Sequence, residues 1–408
     1  MEWNLTGSLV WVPALMISLQ QVGILLGAIL GGHTSDRWGR RPTFIGSFIF
    51  LMASGVISAF CPTWHAFLTL RLILGIAQGG CMSVNFVWPM EVLLPRHRLL
   101  LQVGSYPLGY AFGALVAKLV PHWTNTLLVI QLPGLLTILM TIPLQESYMT
   151  RCRQALRRIS AINRVPLQTD EDSLLLKYTQ TVEEEDRVKV NPRDLFHSRQ
   201  SSLSMLVLTV MWFETSLVFF GVTYNLGDLA GDVSLNVIYI CTGRALVQTA
   251  LFLLDMRCAW LTRRRLFLAS NTTATLCFAY NVLAYSTSIH ETAPLSLTVV
   301  TIVGISALGA QWAMCATCCV ELTPTLLRSM GYGWCLVAAR IGGTISPQIF
   351  LLYPIFKPGP YLMLAAASFA CFLAVVRILP ETKGKQLPDL PEDFVQKRKL
   401  SRHNVATT

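Results

Sequence analysis

Eleven long apolar runs are the feature that most constrains how this chain can fold. Each run has roughly 18 or more mostly apolar residues, the length a helix needs to cross a bilayer. Only 13% of the 408 residues are charged, whereas a soluble domain carries about 25%. We therefore predict an all-α polytopic membrane protein with about 11 transmembrane helices. The predicted spans are Trp11–Gly31, Thr43–Phe60, Ala66–Met90, Leu99–Val120, Thr126–Leu144, Leu203–Thr223, Ser234–Met256, Leu266–Ser286, Leu295–Val320, Ser329–Leu352 and Tyr361–Leu379.

The orientation follows from the basic loop at residues 32–42, between the first two runs. Basic loops stay on the cytoplasmic side, so this loop is predicted to face inward. Counting onward from there, 27 of the 32 Lys and Arg residues fall in predicted cytoplasmic segments. This distribution accounts for the net charge of +10, because basic residues collect at the cytoplasmic face of the lipid bilayer. Nucleic-acid binding is not needed to explain the charge. The distribution also predicts an N-terminus outside and a C-terminus in the cytoplasm.

A polar stretch divides the chain into two similar halves. Glu91 and Arg98 are seven residues apart, as are Glu321 and Arg328. The second pair lies 230 residues after the first. An internal repeat around a long central loop predicts two pseudo-repeated helical bundles. We assign residues 1–144 to the N-terminal bundle, 145–202 to a cytoplasmic linker, 203–379 to the C-terminal bundle and 380–408 to a cytoplasmic tail.

Several motifs resemble those of a known transporter family. Gly-x3-Asp-Arg-x-Gly-Arg-Arg at residues 32–41 is similar to the signature loop of the major facilitator superfamily. Three further motifs resemble the solute carrier 22 family of organic cation, anion and zwitterion transporters, namely Gln145-Glu146-Ser147, Glu321-Leu322-Thr323-Pro324-Thr325-Leu326-Leu327-Arg328 and Pro380-Glu381-Thr382-Lys383-Gly384. The resemblance implies the major facilitator fold, a small organic ion as substrate, alternating access and a multi-pass protein of the plasma membrane. No cofactor and no enzymatic activity are expected.

One departure concerns the start of the chain. In the resembled family the signature loop follows the second helix, whereas here it follows the first predicted span. We expect the first family helix and its large ectodomain to be missing. Asn4 would then be a glycosylation candidate, in Asn4-Leu5-Thr6. A transport-incompetent protein that regulates or assembles with other membrane proteins is the alternative that this departure supports.

Three ionisable residues stand out inside predicted spans, because charges there are costly and usually functional. Glu214, Arg244 and Arg340 are each 11 or 12 residues from the inner end of their span. A rise of 1.5 Å per residue puts each at roughly 16–18 Å, near mid-membrane. They are predicted to share a polar centre.

Arg340 is the principal candidate for substrate binding. It lies in Val337-Ala338-Ala339-Arg340-Ile341-Gly342-Gly343, which is similar to the family's eleventh helix. Anion and zwitterion transporters have arginine at the matching position and cation transporters have aspartate. A buried guanidinium can bind a carboxylate or sulfate through two charge-assisted hydrogen bonds. The alternative is a structural pair with Glu214, which could instead bind a proton or a cationic group. Arg244 is a further ligand candidate.

Aromatic residues surround Glu214 and are predicted to line a cavity. Such walls suit flat organic ions through stacking and apolar contact. The alternative is ordinary packing or contact with lipid. The predicted wall consists of Trp212, Phe219, Phe220 and Tyr224.

Charges at the predicted inner ends of the spans are interpreted as a gate. By resemblance, they would pair across the bundle interface when the inner side is closed, and breaking the pairs would let the halves rock. Plain topology-determining charges are the alternative for the excess arginines. The gating candidates are Asp36, Arg37, Gly39, Arg40, Arg41, Glu91, Arg98, Glu321, Arg328 and Glu381.

Two patterns are interpreted as structural. Arg71-x3-Gly75-x3-Gly79-Gly80 places small residues on one helix face, which permits close helix packing. Cys315-x2-Cys318-Cys319 mimics a metal motif but lies in an apolar span, so buried thiols are expected and a metal is not.

These observations favour transport of small organic anions or zwitterions by alternating access. An organic cation transporter is the closest alternative, and the arginine at position 340 disfavours it. The sequence contains no phosphate-binding Gly-Lys-Ser/Thr loop, which argues against ATP-driven pumping.

Overall fold

The computed structural model describes residues 3, 7–92, 100–120, 122–141, 192–196, 198–224, 226–257, 262–287, 289–324 and 327–382. Over these residues the regular secondary structure is helical, without strands. The long helices, numbered α1 to α11, are Val12–Trp38, Arg40–Ala59, Trp64–Val92, Leu100–Leu119, Trp123–Thr141, Arg199–Tyr224, Val233–Arg257, Arg263–Ser286, Pro294–Leu322, Arg328–Ile349 and Gly359–Ile378. One short helical turn, Ile289–Thr292, precedes α9.

Nine of these helices are long and apolar enough to cross a membrane over their described residues. The other two, α4 and α7, occupy the positions of the fourth and seventh predicted spans. Large apolar side chains such as Ile29, Leu136 and Leu139 are exposed on the outside of the helices, as expected for contact with lipid. The prediction of an all-α polytopic membrane protein is confirmed.

The predicted loop at residues 32–42 is much shorter in the structure. Helix α1 continues to Trp38 and α2 begins at Arg40, so Gly39 alone forms the turn. Its φ of 103° favours glycine, because an L side chain is strained in that region. Gly32 is helical, and assigning it to the turn was wrong. Helix α1 continues past the apolar run because its backbone hydrogen bonds can form equally well where the side chains are polar and contact water.

Helices α1 and α3 approach closely through glycines. A Cβ atom added to Gly27 would overlap the carbonyl oxygen of Ile76, and one added to Gly79 would overlap that of Ile24. A Cβ atom on Gly75 would overlap the carbonyl oxygen of Gln20. The predicted packing role of the small residues after Arg71 is confirmed, because only hydrogen fits between the two backbones.

The helices are divided here into two groups by their order in the chain. The first helix group is α1–α5 and the second is α6–α11. Within the second group, buried apolar side chains from α6, α8, α9, α10 and α11 pack into continuous clusters. The thiols of Cys315, Cys318 and Cys319 are fully buried in one of these clusters. They pack as small apolar groups, as the sequence predicted.

Some sequence predictions fall outside the described residues. Asn4, Arg98, most of the predicted linker and the tail from residue 383 belong there. Asp36, Glu91 and Arg328 lie in α1, α3 and α10, but their side chains are outside the described part. The boundaries of the bundles, linker and tail therefore stay predictions.

Candidate functional site

The two helix groups meet mainly where α1 packs on α10 and where α4 packs on α7. At the first contact, the Ser18 hydroxyl donates to the Thr344 carbonyl oxygen at 2.8 Å. The amide nitrogen of Gln348 donates to Ser18 Oγ at 3.1 Å. At the second contact, Lys118 Nζ lies 3.7 Å from Asp232 Oδ2. Polar contacts therefore join the groups near the helix ends that we predict to face outside.

Arg340 lies at the α1–α10 contact and is 6% exposed. Its Nη1 donates to Gln21 Oε1 of α1 at 3.1 Å, and its Nη2 lies 3.6 Å from Met82 Sδ of α3. Gln21 is nine residues from the start of α1, and Arg340 is nine from the end of α10. Both lie roughly 14 Å from the predicted outer ends. A guanidinium of the second helix group thus reaches helices of the first group inside the membrane.

Gln21 connects Arg340 to Tyr224. The amide nitrogen of Gln21 donates to the Tyr224 hydroxyl at 2.9 Å, while its amide oxygen accepts from Arg340. The Tyr224 ring stacks on Phe220 at 5.5 Å between ring centroids. Sequence reasoning missed Gln21, although a neutral polar pair, Gln20-Gln21, inside an apolar run was the available signal.

Arg71 forms a neighbouring polar contact within the first helix group. Its Nη1 donates to Gln20 Oε1 at 3.1 Å, and Gln20 Nε2 donates to Gln78 Oε1 at 3.1 Å. The Arg71 guanidinium lies over the Phe67 ring at 4.5 Å from its centroid. These contacts hold the guanidinium in one position. We call Gln20, Gln21, Arg71, Tyr224 and Arg340 the interface cluster.

Glu214 lies inside the second helix group and is 1% exposed. Its Oε1 accepts from the Ser368 hydroxyl of α11 at 2.6 Å, and its Oε2 accepts from the Thr215 hydroxyl at 3.4 Å. The hydrogen bonds of Glu214 therefore go to hydroxyl groups, and the hypothesis that it pairs with Arg340 gains no support among the described contacts. Nearby hydroxyl donors satisfy the carboxylate without a cation.

Arg244 of α7 is buried within the second helix group. It is 5% exposed, and its guanidinium lies over the Phe219 ring at 4.3 Å from the centroid. The absence of a side chain at Gly309 leaves room for it, because a Cβ atom there would lie 3.3 Å from Arg244 Cγ. The contacts described for Arg244, Glu214 and Arg340 are with different side chains, and their shared polar centre stays a prediction.

Three residues of the predicted aromatic wall are contiguous, because the Phe219 ring packs edge-to-face on Phe220 at 5.2 Å between ring centroids and Phe220 stacks on Tyr224. Tyr224 belongs to the interface cluster, Phe220 stacks on it, and the Phe219 ring lies under the Arg244 guanidinium. Trp212 is 2% exposed and packs edge-to-face with Trp312 at 5.5 Å and Tyr332 at 5.4 Å. Trp212 thus has the environment of a core residue, as the packing alternative expects.

Three described inner-end charges contact each other within the second helix group, namely Arg263, Glu321 and Glu381. Arg263 Nε lies 3.6 Å from Glu321 Oε1, and the Arg263 backbone nitrogen donates to Glu381 Oε1 at 3.2 Å. The Thr382 hydroxyl donates to Glu321. In the first group, Arg40 Nη1 donates to Ser35 Oγ at 2.6 Å across the Gly39 turn. Sequence reasoning did not place Arg263 in the gate, and pairing across the groups stays a prediction.

The fold and the interface cluster define a class of protein, a helical membrane protein with a buried polar contact between two helix groups. Comparison with known proteins agrees. The family profile described as "Sugar (and other) transporter" matches residues 8–394. The chain therefore belongs to the sugar (and other) transporter family. It is a multi-pass membrane transporter and not an enzyme.

Individual similarities extend over almost the whole chain. "Solute carrier family 22 member 15-like" of Xenopus tropicalis is 27% identical over 409 residues, covering 96% of this chain and 81% of that protein. "Organic cation transporter-like protein" of Drosophila melanogaster is 26% identical, and the match covers 99% of this chain and 74% of that protein. One similar solved structure is "Partially occluded inward open conformation of the xylose transporter XylE from E. coli". It has a TM-score of 0.72 at 16% identity, and the match covers 95% of this chain and 91% of that chain. The structural likeness shows the fold alone.

Proposed function

We propose that this protein transports small organic anions or zwitterions by alternating access, with Arg340 binding the anionic group. The supporting observation is the position of the guanidinium, which is buried where α10 meets α1 and α3. It donates to the neutral amide of Gln21. A carboxylate or sulfate entering this contact would accept charge-assisted hydrogen bonds, which are roughly twice as strong as neutral ones.

The charge balance of the membrane interior supports an anion. Among described helical residues more than one turn from a helix end, the basic residues are Arg71, Arg244 and Arg340, and the acidic residue is Glu214. Buried charge is costly in a bilayer, and an excess of one sign is reduced by a ligand of the opposite sign. A neutral or anionic cargo therefore fits this interior better than a cation.

Alternating access requires the two helix groups to separate on one side at a time. The contacts of Ser18 with Thr344 and of Lys118 with Asp232 join the two groups near their predicted outer ends, and we assign them to the outer gate. We assign the inner gate to the inner-end charges, including Arg263. The full set of candidates is Asp36, Arg37, Gly39, Arg40, Arg41, Glu91, Arg98, Glu321, Arg328 and Glu381. The plasma membrane and a cytoplasmic C-terminus belong to the same proposal.

Uptake by frog oocytes tests this function. Cells that express the chain at their surface receive labelled benzoate as the anion and labelled tetraethylammonium as the cation. We expect saturable benzoate uptake well above that of water-injected cells, and no such excess for tetraethylammonium. Surface protein without uptake of either probe would contradict the proposal and support the regulatory alternative.

An organic cation is the second candidate cargo, and Glu214 is the residue that favours it. The name of the Drosophila relative also points to cations for that protein. Because the carboxylate of Glu214 is enclosed by Ser368 and Thr215, we assign it a structural role.

Replacing Glu214 separates the two candidates. Glutamine keeps an acceptor for the Ser368 hydroxyl, so E214Q is expected to change benzoate uptake by less than about threefold. A cation carrier would instead lose most of its tetraethylammonium uptake in E214Q. E291Q is the matched control, because the Glu291 side chain is 72% exposed.

A further inference from the structure

Arg71 is a second guanidinium beside the Arg340 site, and the proposed function leaves it without a role. It lies on α3, the same helix that supplies Met82 to Arg340. The two positions on α3 are 11 residues apart, close to three helical turns, and therefore share one face. Arg71 thus faces the same side of α3 as the residue that contacts Arg340.

Along α3, Arg71 lies 11 residues, or roughly 16 Å, closer to the predicted outer end than Met82. It is seven residues from the start of α3, which places its backbone roughly 10 Å from the predicted outer end. Its partner Gln20 is the chain neighbour of Gln21, the partner of Arg340. Two adjacent amides of α1 thus hold two guanidiniums from different helices.

Tyr224 is joined to the α1 amide that holds Arg340. Its hydroxyl accepts from Gln21 at 2.9 Å, and Gln21 follows Gln20, the partner of Arg71, along α1. The path from Arg340 to Tyr224 crosses a single amide group and two hydrogen bonds of 3.1 and 2.9 Å. The Tyr224–Phe220 stack offers a flat apolar surface beside this path.

We propose that Arg71 binds a second oxygen acceptor of the cargo, so that the preferred substrate is a flat anion with acceptor groups at both ends. This inference rests on the proposed function, because the first acceptor would be bound by Arg340. Arg71 belongs to the first helix group and Arg340 to the second. A cargo that contacts both would bridge the groups and favour their closure around it, which a simple monoanion cannot do.

The test compares benzoate with terephthalate, which adds a second carboxylate across the same ring. We measure KM and maximal uptake of both for wild type, R71Q and R71K, normalised to surface protein. For wild type we expect terephthalate to have a KM at least tenfold lower than benzoate. R71Q should raise the KM of terephthalate about tenfold or more and change that of benzoate less than threefold. R71K should recover part of the preference for terephthalate over benzoate, because lysine keeps the positive charge but lacks the planar guanidinium.

The outcomes separate this inference from the function on which it rests. Equal losses of benzoate and terephthalate uptake in R71Q and R71K would make Arg71 a structural residue and overturn the inference alone. Benzoate uptake without any preference for terephthalate would do the same. Wild-type protein at the surface that takes up neither anion would overturn both. R377Q is the matched control, because Arg377 is exposed at the inner end of α11.

Discussion

Replacing Arg340 with alanine is expected to lower the uptake efficiency of organic anions about 100-fold. Removing a charged hydrogen-bond donor from a buried site costs about 3 kcal/mol, and each 1.4 kcal/mol is a factor of ten. The loss should appear in kcat/KM for benzoate, measured in oocytes and normalised to surface protein. Ser18 keeps its hydrogen bond to the Thr344 carbonyl oxygen in R340A, so the α1–α10 contact retains a polar partner.

Two further variants show whether the loss comes from anion binding. R340K keeps a positive charge but loses the bidentate fork, so an intermediate loss of about tenfold is expected. R377Q removes an exposed arginine and should leave benzoate uptake unchanged. Benzoate uptake that survives in R340A at the wild-type level would reject Arg340 as the binding residue.

The second large effect is expected at the glycine contact between α1 and α3. Leucine at Gly27 would force the backbones apart, because even a Cβ atom overlaps the carbonyl oxygen of Ile76. We expect G27L to reduce the surface amount of protein at least tenfold, through loss of helix packing. Surface biotinylation and the melting temperature of detergent-solubilised protein measure this effect.

Gly46 provides the matched control for this substitution. It lies in the middle part of α2, and a Cβ atom there would meet no neighbouring atom within 4 Å. G46L should therefore reach the surface in nearly wild-type amounts. Similar losses in G27L and G46L would show that the α1–α3 approach is not what limits folding.

The sequence predicts the helical architecture well for a physical reason. Apolar runs of span length leave few alternatives in a bilayer, where every backbone polar group needs an internal partner. The same reasoning overestimates the turn at residues 32–42, because hydropathy detects the edge of the hydrocarbon and not the end of the helix. Gly39 marks the actual end of α1, since its positive φ interrupts the helical backbone.

The site is predicted less completely, because its contacts join distant parts of the chain. Arg340 could be predicted from the sequence, because it is a charged residue inside an apolar span and lies in a recognisable motif. Gln21, its hydrogen-bond partner, is 319 residues away and is identified only once α1 is seen to pack on α10. The proposed Glu214–Arg340 pair assumed that equal depth means contact. Whether two side chains at equal depth meet also depends on how each helix is rotated about its axis. In the structure the Glu214 side chain faces Ser368.

The account depends on one claim, that a buried guanidinium between the two helix groups selects an anionic cargo. Counterflow in proteoliposomes tests it most directly, since purified protein excludes endogenous carriers. Vesicles preloaded with unlabelled benzoate should accumulate labelled benzoate with the wild-type protein and not with R340A. Accumulation of labelled tetraethylammonium in its place, or equal benzoate counterflow by both proteins, would contradict the account.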